Sequence, residues 1–264
     1  MNGVVWCRPA GSKFGNATMS WLHAYAHAQR VGAEFVCEPW IGEKVFNLPA
    51  YGRPTKACEA FPERSELNLR DDETNVRITA YAQSELATRL YTKEQAQEWL
   101  KTKHDASDLL KYFHLGPHQR VAAHIRRGDY IGYGYPMVSL SSYDHAITKH
   151  RLNSHLKGHT GYDFEKFLLV SDLCPQIANG WINDIGDIQF IVDFTILRTS
   201  SVLLRANSSF SWVAGLLGTG RVFSPIITPD MIGGREHDCE FVEGNWPRLS
   251  CLAGCGDMRL KGET

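Results

Sequence analysis

The sequence predicts an α/β protein whose parallel β-sheets are covered by helices. Short apolar runs bounded by turn residues alternate along most of the chain with longer stretches in which apolar residues recur at helical spacing. Strands that alternate with helices in this way typically form parallel sheets. With 264 residues, the chain is long enough for two domains. The Leu-Gly-Pro break at 115–117 predicts a boundary between domains over 1–115 and 116–264.

The first half has a strand–helix–strand beginning. Apolar residues recur at helical spacing after Gly15 and Asn16, and Gly32 provides a stop signal. The predicted elements are a strand over Val4–Cys7, a helix over 17–31, strands over 33–37 and 75–81, and a helix over 93–113. Residues 42–74 are rich in Pro, Glu and Arg, and their pattern predicts no regular element.

The second half repeats the alternation more regularly. The predicted strands cover 120–125, 166–171, 188–192, 204–206 and 221–224, and the predicted helices cover 141–156, 174–181, 195–203 and 210–217. In open parallel sheets, ligands bind beyond the carboxyl ends of the strands. The polar residues that directly follow the predicted strands are therefore the first candidates for a functional site.

Composition excludes several classes of partner. The formal charge of −1 provides no broad basic field, so we predict no binding of nucleic acid, and an anionic ligand must be held locally. The sequence has no run of about 18 apolar residues, so no transmembrane segment is predicted. The N-terminus also lacks the basic-then-apolar pattern of a signal peptide.

The seven cysteines are scattered and odd in number, which predicts reduced thiols and a cytoplasmic protein. His237, Cys239, Cys251 and Cys255 form a group of potential zinc ligands near the C-terminus. Their spacing contains no Cys-x-x-Cys pair, which a compact zinc site usually has. We therefore predict no metal site.

The segment from His124 to Asp129 is the strongest candidate for chemistry. An apolar strand runs directly into Arg126 and Arg127, and a buried arginine is costly unless an anion meets it. Side chains alternate along an extended chain, so Arg126 is predicted to bind phosphate beside His124, while Asp129 or another carboxylate holds Arg127. A surface salt-bridge cluster is the alternative, and the residues alone leave both open.

A second candidate lies at the start of the predicted helix over 210–217. Ser209 and Ser211 stand where backbone N–H groups and the positive end of the helix dipole attract phosphate, although serine is also a common helix cap. Asp193 ends the predicted strand over 188–192, where a carboxylate suits the adjacent N–H donors of guanine; an N-cap role is the alternative.

Several motifs of other enzyme classes are absent from the sequence. It contains no P-loop, no complete Gly-x-Gly-x-x-Gly, no Gly-x-Ser-x-Gly and no His-Glu-x-x-His motif. An Asp-x-Asp motif, which would hold a metal ion on a diphosphate, is also missing. Arginine rather than Mg²⁺ is therefore predicted to neutralise a bound diphosphate.

Five segments together resemble the α-1,2-fucosyltransferases and the wider α-1,2/α-1,6/protein O-fucosyltransferase superfamily. His124-Ile-Arg-Arg-Gly-Asp129 is similar to the His-x-Arg-Arg-x-Asp motif of that family. The other four segments follow the family in order: Phe14-Gly-Asn-Ala17 with the helix after it, Ala80-Tyr-Ala-Gln-Ser84, Phe167-Leu-Leu-Val-Ser-Asp172, and Leu204-Arg-Ala-Asn-Ser-Ser-Phe-Ser-Trp212. The resemblance covers roughly residues 14 to 225, and the order of the matches makes it specific.

The resemblance implies a GT-B architecture, in which two Rossmann-like parallel-sheet domains face each other across a cleft and GDP-fucose binds to the C-terminal one. It implies inverting transfer of fucose to a glycan acceptor, α-1,2 to galactose, with no metal or other cofactor. Peripheral association with a membrane where glycans are assembled stays open. The sequence has Phe14 and Ala17 where the family has Leu and Gln, and residues 42–74 show no likeness. Acceptor identity and oligomeric state are thus undetermined.

The roles of individual residues are carried over by position. The catalytic candidates are Arg126, His124 and Asp129. The residues implied to bind the donor are Arg126, His124, Asp172, Asp193, Ser209, Phe210, Ser211, Gly15 and Asn16. The general base stays open among Asp129, His23, His27 and water. Two alternative functions also stay open: transfer from another nucleotide sugar, and a binding module without turnover.

Overall fold

The computed structural model describes residues 3–9, 13–79, 82–83, 85–103, 121–152, 168–171, 189–228, 230–231 and 233–244. The chain divides into two compact units, Met1–Lys103 and His104–Thr264. The predicted boundary between 115 and 116 lies outside the described residues. Each unit has a parallel sheet with helices, which confirms the predicted α/β class. Among the described residues, no helix is both long enough and apolar enough to cross a bilayer.

The first unit is built on a four-stranded sheet with the strand order β2-β1-β4-β3, in which all neighbouring strands are parallel. Its elements are β1 (Val4–Cys7), α1 (Phe14–Val31), β2 (Glu34–Cys37), α2 (Gly42–Val45), a 3₁₀ helix (Lys56–Ala60), β3 (Glu63–Arg64), β4 (Val76–Ile78), α3 (Glu85–Thr88) and α4 (Lys93–Trp99). Residues 42–74, which showed no pattern in the sequence, thus contribute a short edge strand and two short helices.

Helix α1 supplies much of the core of the first unit. Trp21 is fully buried, stacks on Tyr25 with 4.7 Å between ring centroids, and meets Phe35 of β2 edge-on at 5.7 Å. Such pairs contribute about 0.5–1.5 kcal/mol beyond the area that they bury. Gly32 ends the helix with φ of 64°, a left-handed conformation that glycine adopts without steric cost. The predicted helix stop is confirmed.

The second unit is built on a five-stranded sheet with the order β11-β9-β8-β5-β7. Its elements are β5 (Val121–Ile125), α5 (Gly128–Tyr133), β6 (Met137–Val138), α6 (Leu140–Lys149), β7 (Leu168–Ser171), α7 (Gln189–Thr199), β8 (Val202–Leu204), α8 (Ser209–Leu217), β9 (Arg221–Pro225), β10 (Glu236–His237) and β11 (Phe241–Glu243). Neighbouring strands are parallel except for β11 against β9. A separate two-stranded sheet pairs β6 with β10.

The strand order reverses once beside the first strand of each sheet. In the second unit, β7 lies on one side of β5, and β8 and β9 lie on the other. In the first unit, β2 lies on one side of β1 and β4 on the other. Ligands of open α/β sheets bind beyond the carboxyl ends of the strands at such a reversal. The fold therefore directs attention to the segments after β5 and β8, and to those after β1 and β4.

The predicted strand over 188–192 is wrong, because this segment belongs to helix α7. Its apolar residues form a continuous run, and periodicity alone cannot separate a buried strand from a buried helix in such a run. The hydroxyls of Thr195 and Thr199 donate to the carbonyl oxygens of Ile191 and Thr195, one turn earlier, at 2.7 Å each. Asp193 therefore lies inside a helix rather than at the end of a strand.

Two further helix predictions are too long at their C-terminal ends. Helix α4 ends at Trp99 because the next residues turn to pair with the chain after α2: the N–H of Asn47 donates to the carbonyl of Lys101 at 2.7 Å. Helix α6 ends at Lys149, and Arg151 adopts a positive φ of 52°. The remainders of these predictions, 104–113 and 153–156, and the predicted helix over 174–181, lie outside the described residues.

Candidate functional site

Two polar segments follow the neighbouring strands β5 and β8 at the reversal in the second unit. Ala123 of β5 is aligned with Leu204 of β8, so both strands end at the same edge of the sheet. The first segment begins at His124 and continues into α5, and the second begins at Arg205 and continues into α8. The order of strands thus brings together the two segments that the sequence proposed separately.

His124 lies at the centre of this edge and is buried. Its carbonyl accepts a hydrogen bond of 2.7 Å from the hydroxyl of Tyr143, and its ring centroid lies 5.6 Å from that of Phe210 in the first turn of α8. Burial lowers the pKa of His124 to about 3, and the positive charges of Arg126 and Arg205 lower it further. His124 is therefore neutral at physiological pH, and the local electrostatic potential is positive.

Arg126 links the first segment to the second through Tyr130. The guanidinium of Arg126 lies over the ring of Tyr130, 5.3 Å from its centroid. The hydroxyl of Tyr130 donates a hydrogen bond to the carbonyl of Asn207, 77 residues away in sequence. Together with the contact between His124 and Phe210, this places Arg126 close to the start of α8. The predicted convergence of the two segments is thus present in the second unit.

Arg127 is held within the protein. It is buried, its Nε lies 2.9 Å from a carboxylate oxygen of Glu236, and one terminal nitrogen donates to the carbonyl of Val138 at 2.8 Å. The sequence predicted one arginine for a ligand and the other for a carboxylate, and the described contacts show Glu236 as such a carboxylate. Glu236 lies in β10, and no local sequence signal marked it.

The extended geometry assumed for Asp129 is wrong. The backbone leaves the extended conformation after Ile125, and helix α5 begins at Gly128, so Asp129 lies in the first turn of that helix. The argument from alternation therefore does not apply to Asp129. Its side chain lies outside the described part of the structure, and the predicted catalytic role stays a prediction.

The serines at the start of α8 differ in what they contact. Ser208 is the N-cap, and its hydroxyl accepts a hydrogen bond from the N–H of Phe210 at 3.3 Å. Ser211 is fully buried, and its hydroxyl bonds to the carbonyls of Ala206 and Ser208 at 3.4 and 3.3 Å. Ser209 and Phe210 are partly exposed at the positive end of the helix. The helix start and its N–H groups, rather than the Ser211 hydroxyl, therefore suit an anion.

Two residues at this edge were not singled out from the sequence. Arg205 is fully buried and donates to the hydroxyl oxygen of Ser224 at 2.9 Å. Asn207 is buried, its side-chain nitrogen donates to the carbonyl of Pro136 at 3.5 Å, and its side-chain oxygen has no hydrogen-bond partner. Both follow β8 directly, and that position was the available signal. Arg205 adds a buried positive charge, and Asn207 ties the two segments together.

The two aspartates predicted to contact the nucleotide are less well defined. Asp193 is partly buried in α7, the helix whose residue Phe194 packs on Phe210 with 6.0 Å between ring centroids. Asp193 is therefore on an element that borders the site, although not at a strand end. Asp172 follows β7 and lies outside the described residues.

The reversal in the first unit carries Gly15 and Asn16, both in the first turn of α1. The side-chain oxygen of Asn16 accepts a hydrogen bond of 2.6 Å from the side-chain nitrogen of Gln83, which follows β4. A polar pair thus bridges the segments after β1 and β4. The predicted contribution of Gly15 and Asn16 to donor binding stays a prediction.

His23 and His27, considered as candidate bases, are buried in the first unit. A ring nitrogen of His27 lies 2.7 Å from the carbonyl oxygen of Glu73, and one of His23 lies 3.5 Å from that of Ala87. Burial lowers the pKa of His23 to about 4 and lowers that of His27. These contacts favour packing roles over catalysis.

No group of three or more potential metal ligands occurs among the residues that the structure describes. In the sequence group that was considered for zinc, Cys239 is buried, and burial raises the pKa of its thiol to about 11. A protonated thiol is a poor zinc ligand. Cys251 and Cys255 lie outside the described residues.

The ion pair between Arg127 and Glu236 makes a testable contribution to stability. Glu236→Gln removes the carboxylate charge, and we expect it to lower the unfolding free energy by about 1–2 kcal/mol, because Arg127 is buried while Glu236 is about half exposed. Urea unfolding measures the change. Glu243→Gln is the matched control, since its partner Arg221 is exposed, and we expect less than about 1 kcal/mol. Equal losses in the two variants would contradict the account.

No protein-family model and no curated protein matches the sequence. Solved structures do match. NodZ α-1,6-fucosyltransferase soaked with GDP-fucose is similar with a TM-score of 0.53 and 18% identity over 92% of this chain and 100% of that one. A mutant of Arabidopsis thaliana FUT1 in complex with GDP gives a TM-score of 0.55 and 10% identity over 91% and 74% of the two chains.

A further structure of the fucosyltransferase NodZ, from Bradyrhizobium, has a TM-score of 0.52 and 16% identity, with 92% of this chain and 99% of that chain covered. At these identities the likeness establishes a shared fold. The chain therefore has a fold that is found in fucosyltransferases.

Proposed function

We propose that the protein is a glycosyltransferase that moves fucose from GDP-β-L-fucose to a hydroxyl group of an acceptor glycan. One observation carries the proposal: Arg126 and the start of α8 meet at the strand reversal, in a positive potential that also lowers the pKa of His124. This is the chemistry that a diphosphate requires. The fold adds support, because it is shared with NodZ, described as soaked with GDP-fucose, and with FUT1, described in complex with GDP.

In this proposal, Arg126 donates to the diphosphate from the edge of its guanidinium. His124 is neutral and supports the same group through a ring N–H. Ser209 and Phe210, together with the backbone at Ser211, form the anion-binding start of α8. Asp193 and Asp172 contact the nucleoside, and Gly15 and Asn16 contribute from the first unit.

The reaction that we propose is a single displacement with inversion in a GT-B architecture. The acceptor oxygen attacks the anomeric carbon, the bond from that carbon to the β-phosphate oxygen breaks, and GDP leaves with the bonding electrons. Arg126 and the start of α8 stabilise the charge that develops on the β-phosphate, which makes a metal ion unnecessary. We propose Asp129 as the group that receives the proton of the acceptor hydroxyl, since Glu236 already pairs with Arg127.

The finer assignments follow the sequence resemblance. We propose α-1,2 linkage to galactose as the product and the cytoplasm as the location. The thiols of Cys7, Cys37, Cys58 and Cys239 are free, which fits a reducing compartment.

Nucleotide specificity provides the first test. We expect GDP at about 100 times its dissociation constant to add about 2.7 kcal/mol to the stability of the folded protein, while UDP and CDP at the same concentration add much less. Thermal unfolding with each nucleotide measures the difference. Stabilisation by UDP or CDP that equals or exceeds that by GDP would contradict the assignment of a guanine nucleotide.

A further inference from the structure

Tyr130 contacts both segments that border the proposed donor site. Its ring lies under the guanidinium of Arg126 at 5.3 Å, and its hydroxyl donates to the backbone carbonyl of Asn207. These contacts use two different parts of one side chain, the aromatic face and the phenol oxygen. Tyr130 thus connects the segment after β5 to the segment after β8.

The backbone around Tyr130 is itself fixed. The N–H of Tyr130 donates to the carbonyl of Arg127 at 2.8 Å, and the carbonyl of Tyr130 accepts from the N–H of Tyr135 at 3.1 Å. The rings of Tyr130 and Tyr135 lie 5.0 Å apart. Arg127 is in turn paired with Glu236. The ring of Tyr130 is therefore a rigid surface rather than a mobile one.

A rigid aromatic surface under Arg126 restricts the guanidinium in a useful way. An arginine side chain has about 2 kcal/mol of rotamer entropy, which is lost when a ligand immobilises it. Contact with an aromatic face stabilises the planar cation by about 0.5–2 kcal/mol and uses only its face. The N–H groups lie in the plane of the guanidinium and point away from its edges. An arginine held in this way is oriented for a phosphate before the phosphate arrives.

We propose that Tyr130 is a positioning residue that orients Arg126 for the donor diphosphate. Its ring holds the guanidinium, and its hydroxyl fixes the ring against the segment that leads into α8. The inference rests on the proposed function, because it assigns Tyr130 a role only if Arg126 binds the nucleotide.

A double-mutant cycle on GDP binding tests this role. Tyr130→Leu and Tyr130→Met remove the aromatic face, and we expect each to weaken GDP binding about tenfold in calorimetric titration. In the background of Arg126→Met, the same substitutions should change GDP affinity less than twofold, because the group that Tyr130 orients is gone. Two variants of different shape keep the test readable if one of them fails to fold, and thermal unfolding without nucleotide identifies such a failure.

The conservative variant separates orientation from packing. Tyr130→Phe keeps the ring beneath Arg126, so it should keep GDP affinity within about threefold of wild type. Equal losses for Tyr130→Phe and Tyr130→Leu, or an undiminished effect of Tyr130→Leu in the background of Arg126→Met, would overturn the positioning role while leaving the proposed function intact. A wild-type protein that bound no GDP would overturn the proposed function, and this inference with it.

Discussion

Arg126→Ala is expected to reduce fucose transfer by at least about 10²–10³-fold, because preorganised donors that stabilise developing charge contribute about 2.7–4 kcal/mol each. The loss should appear in kcat as well as in donor affinity, since the charge on the β-phosphate is largest in the transition state. Released GDP measures turnover. Arg126 is partly exposed beyond the end of β5, so its removal should leave the fold intact.

Two comparisons make this result specific. Arg126→Lys should recover little activity, because an ammonium cannot provide the two-pronged contact of a guanidinium. Arg221→Ala is the matched control: Arg221 is an arginine of the same sheet, at the beginning of β9, and it pairs with exposed Glu243. Arg221→Ala should turn over like wild type. Near-normal turnover by Arg126→Ala would refute the assignment of Arg126.

The protein is expected to lose stability steeply between pH 6.5 and pH 4.5. Burial lowers the pKa of His23 from its ordinary 6.5 to about 4 and that of His124 to about 3. In this range the unfolded chain binds protons that the folded chain does not, so stability falls as the pH falls. Each histidine contributes about 1.4 kcal/mol per pH unit once the pH is below its ordinary pKa. Urea unfolding at several pH values measures the slope.

A histidine substitution assigns the slope to a residue. His23→Gln keeps a polar side chain that does not titrate, so the loss of stability per pH unit should decrease by about 1.4 kcal/mol relative to wild type. His145→Gln is the control, because His145 is exposed. Glu73, whose pKa the Arg64 guanidinium lowers from 4.5, contributes only at lower pH, because its unfolded form binds protons below that value. A slope unchanged by His23→Gln would contradict the account of the first unit.

The sequence was informative where a local pattern determines the structure. The strand over Val4–Cys7, the glycine stop at Gly32 and the serine-rich start of α8 are all local signals, and the structure shows each of them. The convergence of two distant segments was predicted from one rule, since parallel strands end at the same edge. These features need no knowledge of long-range pairing.

The sequence was uninformative where distant residues decide the outcome. Glu236 pairs with Arg127 because β10 lies beside β6, and nothing near Glu236 in the sequence indicates that pairing. Asp193 was placed at a strand end because an apolar run looks alike in a strand and in a helix. Tyr130 and Asn207 are 77 residues apart, and their contact depends on the strand order.

The most direct test of the central claim is GDP release from GDP-fucose in the presence of a panel of galactose-containing glycan acceptors. The account predicts release that depends on the acceptor and is lost in Arg126→Ala. GDP binding without release for any acceptor, or release that persists in Arg126→Ala, would contradict it.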